Sequence, residues 1–340
     1  MSGALAPALT ADDKRVAALL GAVLDVLPQS LVAQRERAHL ELAAKPFAEL
    51  MGEAVVELHL GGLSQRDLTA RIWPIGAREV LARAQREAEA VAPLDRARSV
   101  PASTLSFLSD WLHAEGALAR VPYVELEQDI VDGQPQQWVG PAIRPDFRSG
   151  GNLCWTKAEL YETGLAVLRA LPDWPLPGPL LERFRRFVMA LPEGTRLNMM
   201  SSLGARAHGP RSGLRMISSG PPDVALQLAS LNPTNHARAE RLLTRYAQGS
   251  IGFDLELTVH GMADYFAFYR RFTNPAWSDS ELRIFLDHAL GDRLLTRQEL
   301  QGFRELASLT HRGHLALTFK LVLRDHAQVR LKAYVERLVY

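Results

Sequence analysis

The chain has 340 residues, with 47% hydrophobic and 23% charged residues and a formal net charge of +1. That composition excludes wholesale disorder, and near-neutrality removes any general pull toward nucleic acid or an anionic membrane, so neither is expected as a partner. The single cysteine, Cys154, excludes an intrachain disulfide or a cysteine-rich metal site and is expected to be buried as a small apolar residue.

In chain order, residues 1–10 are small and apolar but lack the basic flank and apolar run of a signal peptide. No run of about 18 apolar residues follows anywhere, so a cytoplasmic protein without a membrane span is expected. Helical periodicity covers 11–26 and 31–52. Alternation with period two then predicts a hairpin, 54–60 with 68–73, around Gly61-Gly62. Helices over 78–91 and 103–115 lead to a second hairpin, 123–130 with 138–143, around Asp132-Gly133. Helices over 157–171 and 180–191 precede a third, 196–205 with 213–218, around His208-Gly209-Pro210. Helices over 223–231 and 235–247 precede a fourth, 253–259 with 264–270, around His260-Gly261. Helices over 280–290 and 297–309, the second capped by Thr296, precede a fifth, 315–323 with 329–335, around Asp325-His326. The unit helix–helix–strand–strand thus recurs five times, with hairpin starts roughly 55 to 75 residues apart.

Each strand has one apolar and one polar face. Leu315, Leu317, Phe319, Leu321 and Leu323 oppose Thr318, Lys320 and Arg324, and Leu331, Ala333 and Val335 oppose Arg330, Lys332, Tyr334 and Glu336. The apolar faces need the amphipathic helices as cover. Ten strands left as an open sheet would leave two edges to protect, whereas closure removes both and encloses a polar space. The expected fold is α+β: one domain over 1–340, with opening helices in 1–53, forming a closed ten-stranded antiparallel barrel of five αββα repeats with helices outside. Its hairpins lie near 54–74, 123–143, 196–218, 253–270 and 315–336.

Five cations fall on predicted inward positions: Arg71, Arg215, Lys320, Arg330 and Lys332. Charges inside a protein need compensation, either from acids or from an anionic ligand. Guanidinium forks and ammonium groups suit phosphate oxygens. The alternative is a water-filled barrel in which Glu57, Glu125, Glu127, Asp254 and Glu256 neutralise the cations. Tyr265, Tyr269, Tyr334 and Trp73 also face inward by alternation, either as wall packing or as a shield for a cation.

Competing motifs are missing. Asp12-Asp13 lacks the aspartate-rich spacing that holds magnesium in helical prenyl synthases. No Gly-rich phosphate loop and no Gly-x-Ser-x-Gly elbow is present. His311 and His314 lack a third ligand, so no metal site is assigned.

The helix-flanked hairpins, the run Arg330-Leu331-Lys332-Ala333-Tyr334, and the stretches Ser212-Gly213-Leu214-Arg215 and Ile251-Gly252-Phe253-Asp254 resemble the ABBA aromatic prenyltransferases of the PT-barrel fold, nearest to the cyanobactin-type branch that prenylates ribosomal peptides. The chain departs from that pattern in having the Lys-x-Tyr alternation on the last strand alone. Arg215 has no lysine or tyrosine beside it, and the return strand of the second hairpin offers only Arg144. The resemblance implies transfer of a dimethylallyl or longer isoprenyl group from its diphosphate, in a natural-product or RiPP pathway, to an aromatic, amine, guanidine or peptide acceptor. It implies diphosphate binding by Arg71, Arg215, Lys320, Arg330, Lys332 and Tyr334, and an acceptor pocket or carbocation shield from Trp73, Tyr265, Tyr269, Asp254 and Glu256. A base on an early strand matches Glu57 best, with Glu125, Glu127 and His59 as alternates; burial raises the pKa of such a carboxyl. The inward acids also suit a basic acceptor. No cofactor is required, and magnesium remains an option. A second reading is a non-catalytic barrel that binds a peptide or small molecule in such a pathway.

Overall fold

The computed structural model describes residues 11–337 other than 46, 47, 49, 64, 74–101, 117, 136–139, 144–155, 171–177, 193, 194, 203–212, 232, 248–250, 274–279, 309–314 and 325–327. The helix expected at 78–91, Cys154, Arg144, Ser212 and the turn at 208–210 lie outside the described residues.

Helices α1 (Ala11–Leu24) and α2 (Gln34–Ala44) open the described chain. α2 is shorter than its periodicity predicts, since Pro46 has no N–H to donate to the next helical bond. The first hairpin is β1 (Glu53–His59) with β2 (Arg66–Ile72), and α3 (Ala102–Leu112) follows. Next come β3 (Val124–Gln128), β4 (Ile130–Val131), β5 (Gln134–Pro135) and β6 (Gly140–Ile143). Helices α4 (Lys157–Ala170) and α5 (Gly178–Ala190) precede β7 (Arg196–Ser202) and β8 (Gly213–Gly220). Helices α6 (Pro222–Ala229) and α7 (Pro233–Tyr246) precede β9 (Ile251–Thr258) and β10 (Gly261–Thr273). Finally α8 (Ser280–Gly291) and α9 (Arg297–Ser308) precede β11 (Leu315–Arg324) and β12 (Arg330–Arg337).

The antiparallel sheet curls on itself in the order β1-β12-β11-β10-β9-β8-β7-β6-β3-β2, and β1 pairs with β12 on one side and β2 on the other, closing the ring. Antiparallel pairing puts the described hairpin turns at one end of this ring and the described helical connections at the other. One predicted turn is reassigned. Asp132-Gly133 does not join two barrel strands but closes the separate ribbon β4–β5, while β3 pairs directly with β6. Asp132 (φ 51°) and Gly133 (φ 75°) both take positive φ, which suits a two-residue hairpin loop and explains why Asp-Gly signals a turn without saying which strands it serves.

The hydrophobic core lies between the sheet's outer face and the helices, not inside the ring. Phe319 on β11 packs 4.7 Å from Phe285 of α8 and 5.2 Å from Phe303 of α9, ring centre to ring centre, and all three are buried. Such pairs contribute about 0.5–1.5 kcal/mol each beyond the area they remove from water. At the turn end, α9 also fixes the first hairpin. Thr296 and Glu299 form a reciprocal capping box, with Glu299 N–H donating to Thr296 Oγ1 (3.2 Å) and Thr296 N–H donating to Glu299 Oε2 (2.6 Å). The same carboxylate accepts from the N–H groups of Gly61 and Gly62 (3.2 Å each), whose φ near +80° glycine adopts without strain. Glu299→Ala is therefore expected to lower unfolding free energy by about 2 kcal/mol, since it removes both a cap and a turn anchor. Urea denaturation monitored by circular dichroism measures this, and an unchanged midpoint contradicts the anchor.

Candidate active site

Alternation along the strands turns Glu57, His59, Asp67, Arg71, Glu125, Glu127, Arg215, Asp254, Glu256, Tyr265, Tyr269, Lys320, Lys332 and Tyr334 away from the helix-covered face and into the ring. The core cluster takes their chain neighbours instead, such as Val56, Leu58, Leu126, Leu214, Leu255, Phe268, Phe319 and Ala333.

Asp254, at 0% exposure, is the centre of the largest group. Its Oδ2 accepts from Lys320 Nζ (2.8 Å), Tyr265 O–H (2.9 Å) and Tyr269 O–H (3.0 Å), and Arg215 Nε lies 3.7 Å away. Its Oδ1 has no partner among the described residues. Glu256 Oε1 takes Arg215 Nη2 at 2.8 Å and Arg324 Nη2 at 3.2 Å. The Tyr265 ring lies beneath Arg215 and Arg324 at 5.2 and 5.3 Å, and Lys320 Nζ is 4.9 Å from the Tyr269 ring centre.

Burial favours the neutral carboxyl, yet Lys320 and Arg215 hold Asp254 below the usual carboxylate range. Burial lowers Lys320 to about 8, Asp254 offsetting part of the shift. Burial raises Tyr265, Tyr269 and Tyr334 well above the usual phenol range, so all three remain O–H donors.

A second group adjoins the first across the strands. Lys320 on β11 is directly opposite Lys332 on β12, and Lys332 is directly opposite His59 on β1. Lys332 Nζ bonds Glu57 Oε1. His59 Nε2 lies 2.7 Å from Asp67 Oδ2 and 3.3 Å from Glu57 Oε1, and Asp67 Oδ1 accepts the Ile130 N–H (2.9 Å). Glu57, His59 and Asp67 bring one ligand atom each within 4.8 Å of the others, but these atoms are engaged with Lys332, Ile130 and one another, so the trio is an ion-pair chain.

The expectation that burial raises the Glu57 pKa is corrected here. Burial does push it up, but Lys332 and the His59 hydrogen bond push harder, and the carboxyl rests well below its usual range. For His59, burial and Lys332 lower the pKa, and Asp67 and Glu57 outweigh them, so it ends raised.

Four expected members stand apart: Arg71, Glu125 and Trp73 at the far end of the barrel, which removes Glu125 as a base and Trp73 as a shield beside the lysines, and Arg330 at the rim. Arg71 is opposite Glu53, six residues along β1 from the His59–Lys332 pair, about 20 Å away toward the other end of the barrel. It pairs there with Glu53 (3.0 Å), Glu125 (2.8 Å) and Glu336 (2.5 Å), and Trp73 stacks 4.7 Å from Tyr123 in the same region. Arg330 shares a strand face with Lys332 but is exposed, because it is the first residue of β12 and sits at the rim. Glu127 is half-buried on the inner face of β3.

Asp67 and Glu53 are functional neighbours that sequence reasoning missed. Each falls one residue outside the predicted strand bounds, so alternation was never extended to it. Glu336 was assigned the correct face, yet nothing local linked it to Arg71.

No protein-family model matches the sequence, and no curated protein does. Solved structures do match in three dimensions. Prenyltransferase PriB in its apo form aligns with TM-score 0.51 and 16% identity, over 95% of this chain and 92% of that one. PriB in ternary complex with L-tryptophan and dimethylallyl thiolodiphosphate aligns with TM-score 0.56 and 15% identity, over 94% and 95%. AnaPT from Neosartorya fischeri aligns with TM-score 0.57 and 11% identity, over 96% and 94%. The chain has the fold of the ABBA prenyltransferases. Within this fold the described cations Arg215, Lys320, Lys332 and Arg324 converge beside Tyr265, Tyr269 and Tyr334.

Because Asp254 is the carboxylate bonded to buried Lys320, whereas Arg215 keeps Glu256, Asp254→Ala strands the Lys320 ammonium and is expected to cost about 3–5 kcal/mol of stability. Denaturant unfolding checks this, and a loss no larger than that of a surface carboxylate contradicts the hub.

Proposed function

We propose that this protein is a PT-barrel prenyltransferase, its five helix-flanked hairpins being the αββα repeats of that fold. It would move a dimethylallyl or longer isoprenyl group from its diphosphate to an aromatic or nitrogen nucleophile on a small metabolite or modified peptide. The observation that carries this reading is the facing pair Lys320 and Lys332, ringed by Tyr265, Tyr269 and Tyr334, inside a fold shared with an enzyme solved with tryptophan and a thiolodiphosphate.

The proposed step runs as follows. Lys320, Lys332 and Arg215 hold the diphosphate oxygens and stabilise the charge that develops as the carbon–oxygen bond breaks, its electron pair leaving with the diphosphate. The allylic cation forms between tyrosine faces that exclude water, each worth about 2 kcal/mol when desolvated. The acceptor's electron pair forms the new carbon–carbon or carbon–nitrogen bond, and Glu57 takes the proton that the acceptor releases. Tyr269 and Tyr334, 6.2 Å apart between ring centres, supply part of that wall. Arg330 at the rim meets the diphosphate on entry, and Arg71, bound to Glu53, Glu125 and Glu336 at the far end of the barrel, takes no part in holding it.

A second reading, a non-catalytic barrel for a peptide or small molecule, is favoured by one observation. Arg71, Arg215, Lys320 and Lys332 each already have a carboxylate partner. Dimethylallyl thiolodiphosphate separates the two readings. A transferase at a hundredfold excess over Kd gains about 2.7 kcal/mol by mass action, read as a rise in Tm, whereas a carrier of an unrelated ligand gains nothing.

Binding of that analogue should also weaken as pH rises through about 8, where buried Lys320 loses its proton. Lys320→Arg stays charged and should lack this inflection. An identical pH profile in both proteins removes Lys320 from the diphosphate site.

A further inference from the structure

Lys320 and Lys332 are cross-strand partners on the inner face of β11 and β12. Like charges placed directly opposite each other on paired strands are destabilising. Each lysine relieves this by reaching diagonally away from the other to its own carboxylate. Lys332 reaches to Glu57, which is opposite Tyr334 rather than Lys332. Lys320 reaches to Asp254, which is opposite Ala267 rather than Tyr269. The two arms point to opposite flanks of the lysine pair, Lys332 toward β1 and Lys320 toward β9.

The two carboxylates are not equivalent. Asp254 is fully buried and carries two tyrosine hydroxyls and Arg215 besides Lys320, so it keeps partners if Lys320 turns away. Glu57 has Lys332 and, at 3.3 Å, His59, which is already bonded to Asp67 at 2.7 Å. Lys332 is also the more accessible lysine, its side chain 20% exposed against 4% for Lys320. Glu57 is thus the partner that an incoming anion displaces at lower cost.

We propose that Glu57 occupies Lys332 as a stand-in for the substrate's diphosphate, so that seating the diphosphate releases this carboxylate and makes it available to the acceptor. The inference rests on the prenyltransferase reading and deepens it. A diphosphate against Lys320 and Lys332 lies within a few ångströms of the ionised Glu57, and like charges at that range in a buried site repel each other strongly. The carboxylate then swings from Lys332 and stays ionised, able to take the acceptor's proton. The groups that face Glu57 while it does so are His59 on its own strand, Asp67 on β2, Lys332 and Tyr334 on β12, and Lys320 on β11. The consequence is an order of events: the base is uncovered once the donor is in place.

The test is calorimetric titration of dimethylallyl thiolodiphosphate into the wild type, Glu57→Gln and Asp67→Asn. If Glu57 competes for Lys332, Glu57→Gln binds the analogue about tenfold more tightly, while Asp67→Asn, a carboxylate lost one link further along the chain and touching no lysine, stays within about twofold. Equal or weaker binding by Glu57→Gln, or equal tightening by Asp67→Asn, overturns the inference and leaves the function intact. If Glu57→Gln does not fold, Glu57→Ala, which leaves Lys332 without this carboxylate, is titrated in its place. Tighter binding than wild type supports the exchange, and equal or weaker binding overturns it. No binding of the analogue by folded wild type overturns the prenyltransferase reading and this inference with it.

Discussion

Burying charge inside the ring is the constraint on which the rest depends. Moving an ammonium or guanidinium out of water costs several kcal/mol even after relaxation, so cations survive on an inner wall only with carboxylates in reach. Asp254 meets this demand for Lys320 and Arg215, Glu256 for Arg215 and Arg324, and Glu57 for Lys332. The apolar work is done elsewhere. Phe285, Phe303, Phe319 and their neighbours form the main core between sheet and helices, and only a small cluster of Tyr265, Ala267 and Val322 packs on the inner face. Core outside and charge inside are two consequences of the same strand alternation.

That compensation also sets the chemistry. Two lysines face each other, one with its pKa lowered by burial to about 8, and three tyrosines beside them stay protonated because burial opposes the phenolate. Under the proposed function, a diphosphate would exchange these internal counter-ions for its own oxygens, so affinity there would be a difference between two well-paired states. The Arg71 group behaves otherwise. With three carboxylates around one guanidinium it is saturated, which suits a structural clamp joining β1, β2, β3 and β12 at the helical end of the barrel.

Much of the architecture was legible in the chain because hairpins and amphipathic helices are local. The pairs 315–323 with 329–335 and 253–259 with 264–270 match β11–β12 and β9–β10 to within a few residues. The second hairpin shows the limit. Asp132-Gly133 is a true turn, but turn chemistry concerns four residues and says nothing of the longer-range pairing that joins β3 to β6. Alternation likewise identified the face of Lys320, Lys332, Arg215 and the tyrosines. It did not distinguish Arg330 at the rim from Lys332 two residues deeper, because depth along a strand depends on where the neighbouring strands end.

The sequence by itself determined the repeating helix–helix–hairpin unit, the polar inner face and the identity of the charged residues on it, since all of these follow from periodicities of two and 3.6. The tertiary structure alone decided which charges meet. Lys332 finds Glu57 from 275 positions away because β1 and β12 are the first and last strands of the ring. The direction of the Glu57 pKa was decided there too. Local reasoning supplies the burial that raises it, and ring closure supplies Lys332, which brings it down.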